Sequence, residues 1–227
     1  MRIRLAAFSW LVLATFSPAR AAADGGQRME IMLEKYDHGV WKAIDPGLVL
    51  DQSDRVRFRF RTNFDGYLYV TNQSTSGKYE QLFPREETGR ENHIVAGKDY
   101  QIPSTDAVFR IAGPAGHEIV YWLVTPMSLG EGAPHAPVMA PPGPQGTPPR
   151  LTPRCDDAIL HSRGDCVDSS AGPKLVPRDT NLPQNLSGAA DQSRRDLLFM
   201  RQKEKAVIST PAPLTGPVIY EYHLAHR

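Results

Sequence analysis

The chain has 227 residues, 41% of them hydrophobic, and a formal net charge of +1. That length holds one domain or one and a half, with enough apolar side chains for a core. The near-neutral balance excludes the strong positive field of a dedicated nucleic-acid binder, so no nucleic-acid partner is expected.

The N-terminus has the form of a targeting segment. Arg2 and Arg4 make a basic head, Leu5 to Phe16 is a mostly apolar run, and Ala19 to Ala23 supplies small residues for cleavage. Such a run is shorter than the ~20 residues a spanning helix needs. Residues 1–23 are expected to be a signal peptide. The mature chain is expected to lack a transmembrane segment and to be periplasmic or secreted.

Met29 to Lys35 alternates and predicts a first strand. Tyr36-Asp37-His38-Gly39 predicts a turn, and Val40 to Ile44 a returning strand. The stretch Arg55 to Pro84 decides the fold class. Arg55, Arg57, Arg59 and Arg61 point one way, and Val56, Phe58 and Phe60 the other. Strict period two is the pattern of a half-buried strand. Asn63-Phe64-Asp65-Gly66 predicts a type I turn with Gly66 in the left-handed region. The expected hairpin sets Phe60 opposite Leu68 and Phe58 opposite Val70, with Arg59 beside Tyr69 and Arg61 beside Tyr67. On that register Arg57, Arg59, Arg61, Tyr67 and Tyr69 form a candidate binding surface for an acidic or carbohydrate partner. The simpler reading is cross-strand pairing that keeps a sheet soluble. Ser74 to Gly77 predicts another turn, and Lys78 to Phe83 a third strand.

Residues 85–92 are charged and read as a loop. Short strands are expected at His93–Val95, Tyr100–Pro103 and Val108–Ile111, and a central one at His117–Thr125, the most apolar run. Short strands punctuated by Gly, Pro, Asn and Asp predict an all-β antiparallel sandwich. Its main part is placed at 27–129, with Phe58, Phe60, Leu68, Val70, Val120 and Trp122 in the core.

Composition then changes, and most of the 20 prolines lie beyond Pro126. Residues 130–194 are expected to be a Pro/Gly-rich, largely irregular insertion. Cys155 and Cys166 are the two cysteines of the chain and are expected to form a disulfide in an oxidising compartment. Residues 195–227 are expected to complete the sandwich. Asp196–Arg201 and Ala206–Thr210 flank a charged turn at Gln202–Lys205. In the last strand Val218, Tyr220, Tyr222 and Leu224 share a face. Loop closure costs only the logarithm of loop length, so the long insertion is no obstacle to that strand's return.

Catalytic signatures are missing: there is no G-x-S-x-G, H-E-x-x-H, G-x-x-x-x-G-K-[ST] or G-x-G-x-x-G. The seven histidines are scattered. Asp156, Asp157, Asp165 and Asp168 lack the spacing of a calcium loop, and Cys155, Cys166 and His161 lack that of a zinc site. Arg163-Gly164-Asp165 is a tripeptide common enough to arise by chance. No catalytic residue, metal or cofactor is assigned.

The run Asp65-Gly66-Tyr67-Leu68-Tyr69-Val70, with Gly77, Leu82-Phe83-Pro84, Asn92, Gly97, Tyr100, Ile102-Pro103 and Gly113 to Gly116, resembles a bacterial family known as a domain of unknown function. Its members carry a G-Y-L-Y-V…L-F-P core in exported or envelope proteins. The resemblance spans Met29 to Thr125, and the last strand, Ile219 to Arg227, is similar to the end of family members. It implies an immunoglobulin-like sandwich in a bacterial envelope and is silent on mechanism. The expected function is a non-enzymatic, exported interaction module whose partner is another envelope protein. Alternatives are a small-ligand or glycan-binding sandwich using exposed Tyr and Arg, and a hydrolase with an unrecognised site. A deep pocket with converging His and Asp would mark the hydrolase, a flat aromatic face the glycan binder. An open sheet edge or apolar groove would mark a peptide or protein partner.

Overall fold

The computed structural model describes residues 26–129, 152–180, 193, 197–210, 214 and 216–227. The expected signal segment and the proline-rich run 130–151 lie outside them. Two antiparallel sheets pack face to face. The first has the order β11 (Leu198–Gln202), β12 (Lys205–Thr210), β1 (Gln27–Asp37), β3 (Arg55–Thr62), β7 (Asp99–Ile102). In it β2 (Val40–Ile44) also pairs with β1, and β8 (Phe109–Arg110) with β3. The second has the order β10 (Gly172–Lys174), β13 (Val218–His226), β9 (Gly116–Thr125), β4 (Gly66–Gln73), β5 (Tyr79–Phe83), with β6 (His93–Ile94) on β4. An all-β sandwich is therefore the fold.

The alternation of β3 does what its pattern predicts. Val56, Phe58 and Phe60 are buried, and the arginines between them face outward. Phe58 meets Trp122 of β9 edge-on at 5.3 Å and Tyr222 of β13 at 5.5 Å. Phe60 meets Trp122 at 5.7 Å and stacks on Tyr100 at 5.2 Å. Leu68, Val70 and Val120 complete the expected core.

The expected β3–β4 hairpin is not formed. Phe60 pairs with Ile31 and Tyr100 within the first sheet, while Leu68 pairs with Val124 in the second. Residues 63–65 carry the chain from one layer to the other. Asn63 accepts the Arg28 N–H at 2.6 Å, and Asp65 accepts the Ala96 N–H at 2.7 Å. Gly66 is not in the left-handed region. Its small size matters instead, since a Cβ there would lie 2.9 Å from the Thr125 carbonyl oxygen. Period two sets which face of a strand is buried; it does not choose the neighbouring strand. Here the phenylalanines of β3 meet the apolar side chains of β4 and β9 across the interlayer.

β9 is central, flanked by β4 and β13, and buries both faces. Trp122 points into the main core, whereas Tyr121 and Leu123 pack with Tyr69, Ile219 and Val176 on the other side. Val176 comes from the insertion, which has more structure than expected. Cys155 and Cys166 are joined with Cα atoms 4.7 Å apart. Between them α1 (Ala158–His161) is capped by Asp157, whose carboxylate accepts the Ile159 and Leu160 N–H groups. β10 then adds an edge to β13, and it tolerates Pro173 because an edge strand leaves one side unpaired. The β11–β12 hairpin forms with a tighter turn than expected, since Gln202 and Lys205 pair and leave Lys203-Glu204 as the loop. β13 pairs with β9 over its whole length.

Candidate interaction surface

The outer face of the first sheet gathers cations and rings. Asp37-His38-Gly39-Val40 forms a two-residue hairpin, with His38 at φ 47° and Gly39 at φ 87°. This turn sets Tyr36 directly opposite Trp41, with ring centroids 5.1 Å apart. The Arg55 guanidinium lies over the Tyr36 ring at 4.0 Å, and that of Arg57 over Trp41 at 4.3 Å. Glu34, 6% exposed, accepts the Arg57 Nε–H at 2.5 Å and Arg59 Nη1 at 3.5 Å. Arg61 lies 4.0 Å from Asp99, both exposed. Glu30 pairs with Arg28 and, at 3.2 Å, with Lys205.

The strand registers place seven basic residues on this face, Arg28, Arg55, Arg57, Arg59, Arg61, Arg110 and Lys205. Three acidic residues share it, Glu30, Glu34 and Asp99. The local surplus is four positive charges, against +1 for the whole chain. This face is therefore more positive than the chain as a whole, and the rest of the chain is net negative.

The five residues expected to form one surface are divided. Arg57, Arg59 and Arg61 lie on this face. Tyr67 and Tyr69 belong to β4 in the other sheet and face away from the core. Tyr67 tilts against His93 at 5.0 Å. Tyr69 is 8% exposed, and its hydroxyl accepts the Leu129 N–H at 3.0 Å. The Arg–Tyr juxtaposition disappears with the hairpin that carried it. In place of Tyr67 and Tyr69 stand Tyr36 and Trp41, which sequence reasoning left in an ordinary hairpin. The signal was present: with Asp37 to Val40 as a two-residue turn, Tyr36 and Trp41 must pair.

Among the described residues the second sheet holds two histidine–carboxylate pairs on its outer side and one on its core-facing side. His117 lies 3.3 Å from Asp168 and His223 is 2.7 Å from Glu221 on the outer side, whereas the fully buried His226 is 3.5 Å from Glu118 on the side of Val120 and Leu224. A cleft beside the disulfide segment is lined by His117, Arg154, Asp156, Asp168 and Ser170. Its carboxylates are already engaged. Asp168 accepts the N–H groups of Arg154 at 3.1 Å and Ser170 at 2.8 Å. Burial would raise its pKa, but hydrogen bonds from Ser170 and Arg154 and the charge of His117 outweigh that and hold it below the usual carboxylate value. Asp156 accepts the N–H and hydroxyl of Ser169, and Asp157 caps α1. The acidic cluster thus fastens a loop. Among the described residues no group of three His, Cys, Asp or Glu side chains is placed to hold a metal ion.

Residues 49–128 match the family model described as Domain of unknown function (DUF4384). Over that span the chain is similar to this family. The DUF4384 match covers β3 to β9, so it takes in the arginine ladder and leaves out Tyr36, Trp41 and the strands from β10 onward. No curated protein and no solved structure matches the chain. Among the described residues no helix is long and apolar enough to cross a membrane.

Proposed function

We propose that the chain is a non-enzymatic binding module of the bacterial envelope, and that the basic face of its first sheet takes an acidic segment of another envelope protein. The observation that carries this reading is the surplus of four positive charges around the Tyr36–Trp41 pair. Trp, Tyr and Arg are the residues most often found at the energetic centre of protein interfaces. Charge complementarity sets orientation and association rate. The disulfide supports an oxidising compartment and hence export. Strand order supports an immunoglobulin-like arrangement: β1-β3-β7 in one layer faces β13-β9-β4-β5 in the other.

The glycan reading is less favoured by this geometry. A sugar stacks on an open, flat ring face. Here Tyr36 and Trp41 are inclined at 60°, and guanidinium groups already cover their faces. Photo-crosslinking in the native envelope tests the proposal, with the crosslinker placed at position 61 on this face or at position 67 on the opposite one. The expected result is capture from position 61, with the crosslinked peptide rich in Asp and Glu. Equal capture from both positions, or a crosslinked peptide without acidic residues, overturns it.

A further inference from the structure

Among the described residues β11 is the outermost strand of the first sheet. Its hairpin decides which of its backbone groups are engaged. Gln202 faces Lys205 across the turn, followed by Arg201–Ala206, Met200–Val207, Phe199–Ile208 and Leu198–Ser209. In an antiparallel hairpin the pair flanking a two-residue turn exchanges both hydrogen bonds, and every second pair beyond it does the same. Gln202, Met200 and Leu198 therefore bond to β12. The N–H and C=O groups of Phe199 and Arg201 point out of the sheet edge. On the outer face of the same strand Leu198 is 63% exposed and Met200 48%. Natural edge strands are usually blunted by proline, a bulge or a line of charge, and β11 carries neither proline nor bulge, while the Arg201 side chain is turned inward to Asp45.

We propose that β11 pairs antiparallel with the β11 of a second copy of this chain, across a two-fold axis at Met200. The edge is complementary to itself. Phe199 and Arg201 are two positions apart and both point outward. An antiparallel copy therefore sets Phe199 opposite the second Arg201, and Arg201 opposite the second Phe199. Each such pair exchanges two backbone bonds, about four in all. Met200 then faces its own counterpart in the closer, non-bonded position, and Leu198 faces Gln202. No like charges are opposed in this register, and the exposed Leu198 and Met200 side chains cover each other. Self-complementarity selects a second copy over an unrelated strand. The axis runs perpendicular to the sheet, so both basic faces lie on the same side of one continuous sheet. The inference stands apart from the acidic-partner reading, although a doubled face would bind a repeated acidic partner with avidity.

Cysteine scanning in the full chain tests the register. At the two-fold axis the paired Cα atoms are about 4.5 Å apart, within disulfide reach. Two copies of Leu198 are offset by four residues, roughly 13 Å along the strand. Met200→Cys is expected to crosslink into a covalent dimer on mild oxidation, and Leu198→Cys is not. By sedimentation the unmodified chain is expected to dimerise with concentration. Met200→Lys, which sets two ammonium groups face to face at an exposed position, is expected to weaken that dimer at least about tenfold without moving the thermal transition. A chain that stays monomeric overturns the proposal. So does equal crosslinking of the two cysteine variants, a dimer in which Met200→Cys fails to crosslink, or one indifferent to Met200→Lys.

Discussion

Glu34 shows how the basic face is built into the fold. Its carboxylate is buried beneath two guanidinium groups, with Arg57 at 2.5 Å and Arg59 at 3.5 Å. Arg57→Ala removes the closer donor and uncovers the Trp41 ring, and is expected to cost about 1–3 kcal/mol, the penalty for stranding a buried polar group. Chemical denaturation checks it. Phe58→Ala empties the point where Trp122 and Tyr222 converge, and is expected to cost about 3–5 kcal/mol. Asp168 gives a pH dependence. Its pKa is held below the ordinary 3.8 in the folded state. A depressed carboxylate stabilises the fold above its unfolded value, and that contribution is lost as pH falls through the folded value. Thermal melts are expected to show no pH dependence from Asp168 near neutrality, where its contribution is fully present, and an acid limb beginning below about pH 4. In Asp168→Asn that limb is expected to shrink, and the variant to be less stable at neutral pH.

At the scale of elements, β13 is the clearest case of sequence reasoning succeeding. Alternation placed Tyr220, Tyr222 and Leu224 on one face, and the structure buries all three in the main core. Because β13 lies between β9 and β10, deleting residues 217–227 removes an interior strand. The expected outcome is loss of the cooperative unfolding transition, seen by circular dichroism. The disulfide was legible from two cysteines close in sequence in a chain expected to be exported. Cys155→Ser/Cys166→Ser is expected to lower stability by roughly 2–3 kcal/mol, measured by thermal denaturation against the unreduced parent. The β3–β4 link was not legible. Asp65-Gly66 has hairpin chemistry, and only packing between layers sends β4 to the other sheet. The outer face of β9 was ambiguous for a related reason. A strand apolar on both sides does not say what covers its second face, and the cover comes from Val176, far along the chain. Of the candidate site, the arginines were read correctly as outward. Their aromatic partners were missed, because strand neighbours were assigned by proximity in sequence.

The whole molecule is asymmetric. One outer face is overlaid in part by the disulfide segment and its histidine–carboxylate pairs. The other carries a surplus of four positive charges, built on an arginine ladder that the DUF4384 match includes. Arg55 and Arg61 are exposed, and their contacts with the Tyr36 ring and Asp99 lie at the surface, so exchanging them changes the charge of the face far more than the core. Arg55→Glu/Arg61→Glu brings the face from a surplus of four positive charges to balance. Titration of the acidic segment captured from position 61, with parent and double variant at low and physiological salt, is the measurement to make. The parent is expected to bind at least about tenfold more tightly than the variant at low salt, with the gap narrowing as salt screens the exposed charges, and both proteins are expected to melt at the same temperature. Equal affinity of the two proteins at low salt would contradict a basic face that recognises an acidic partner.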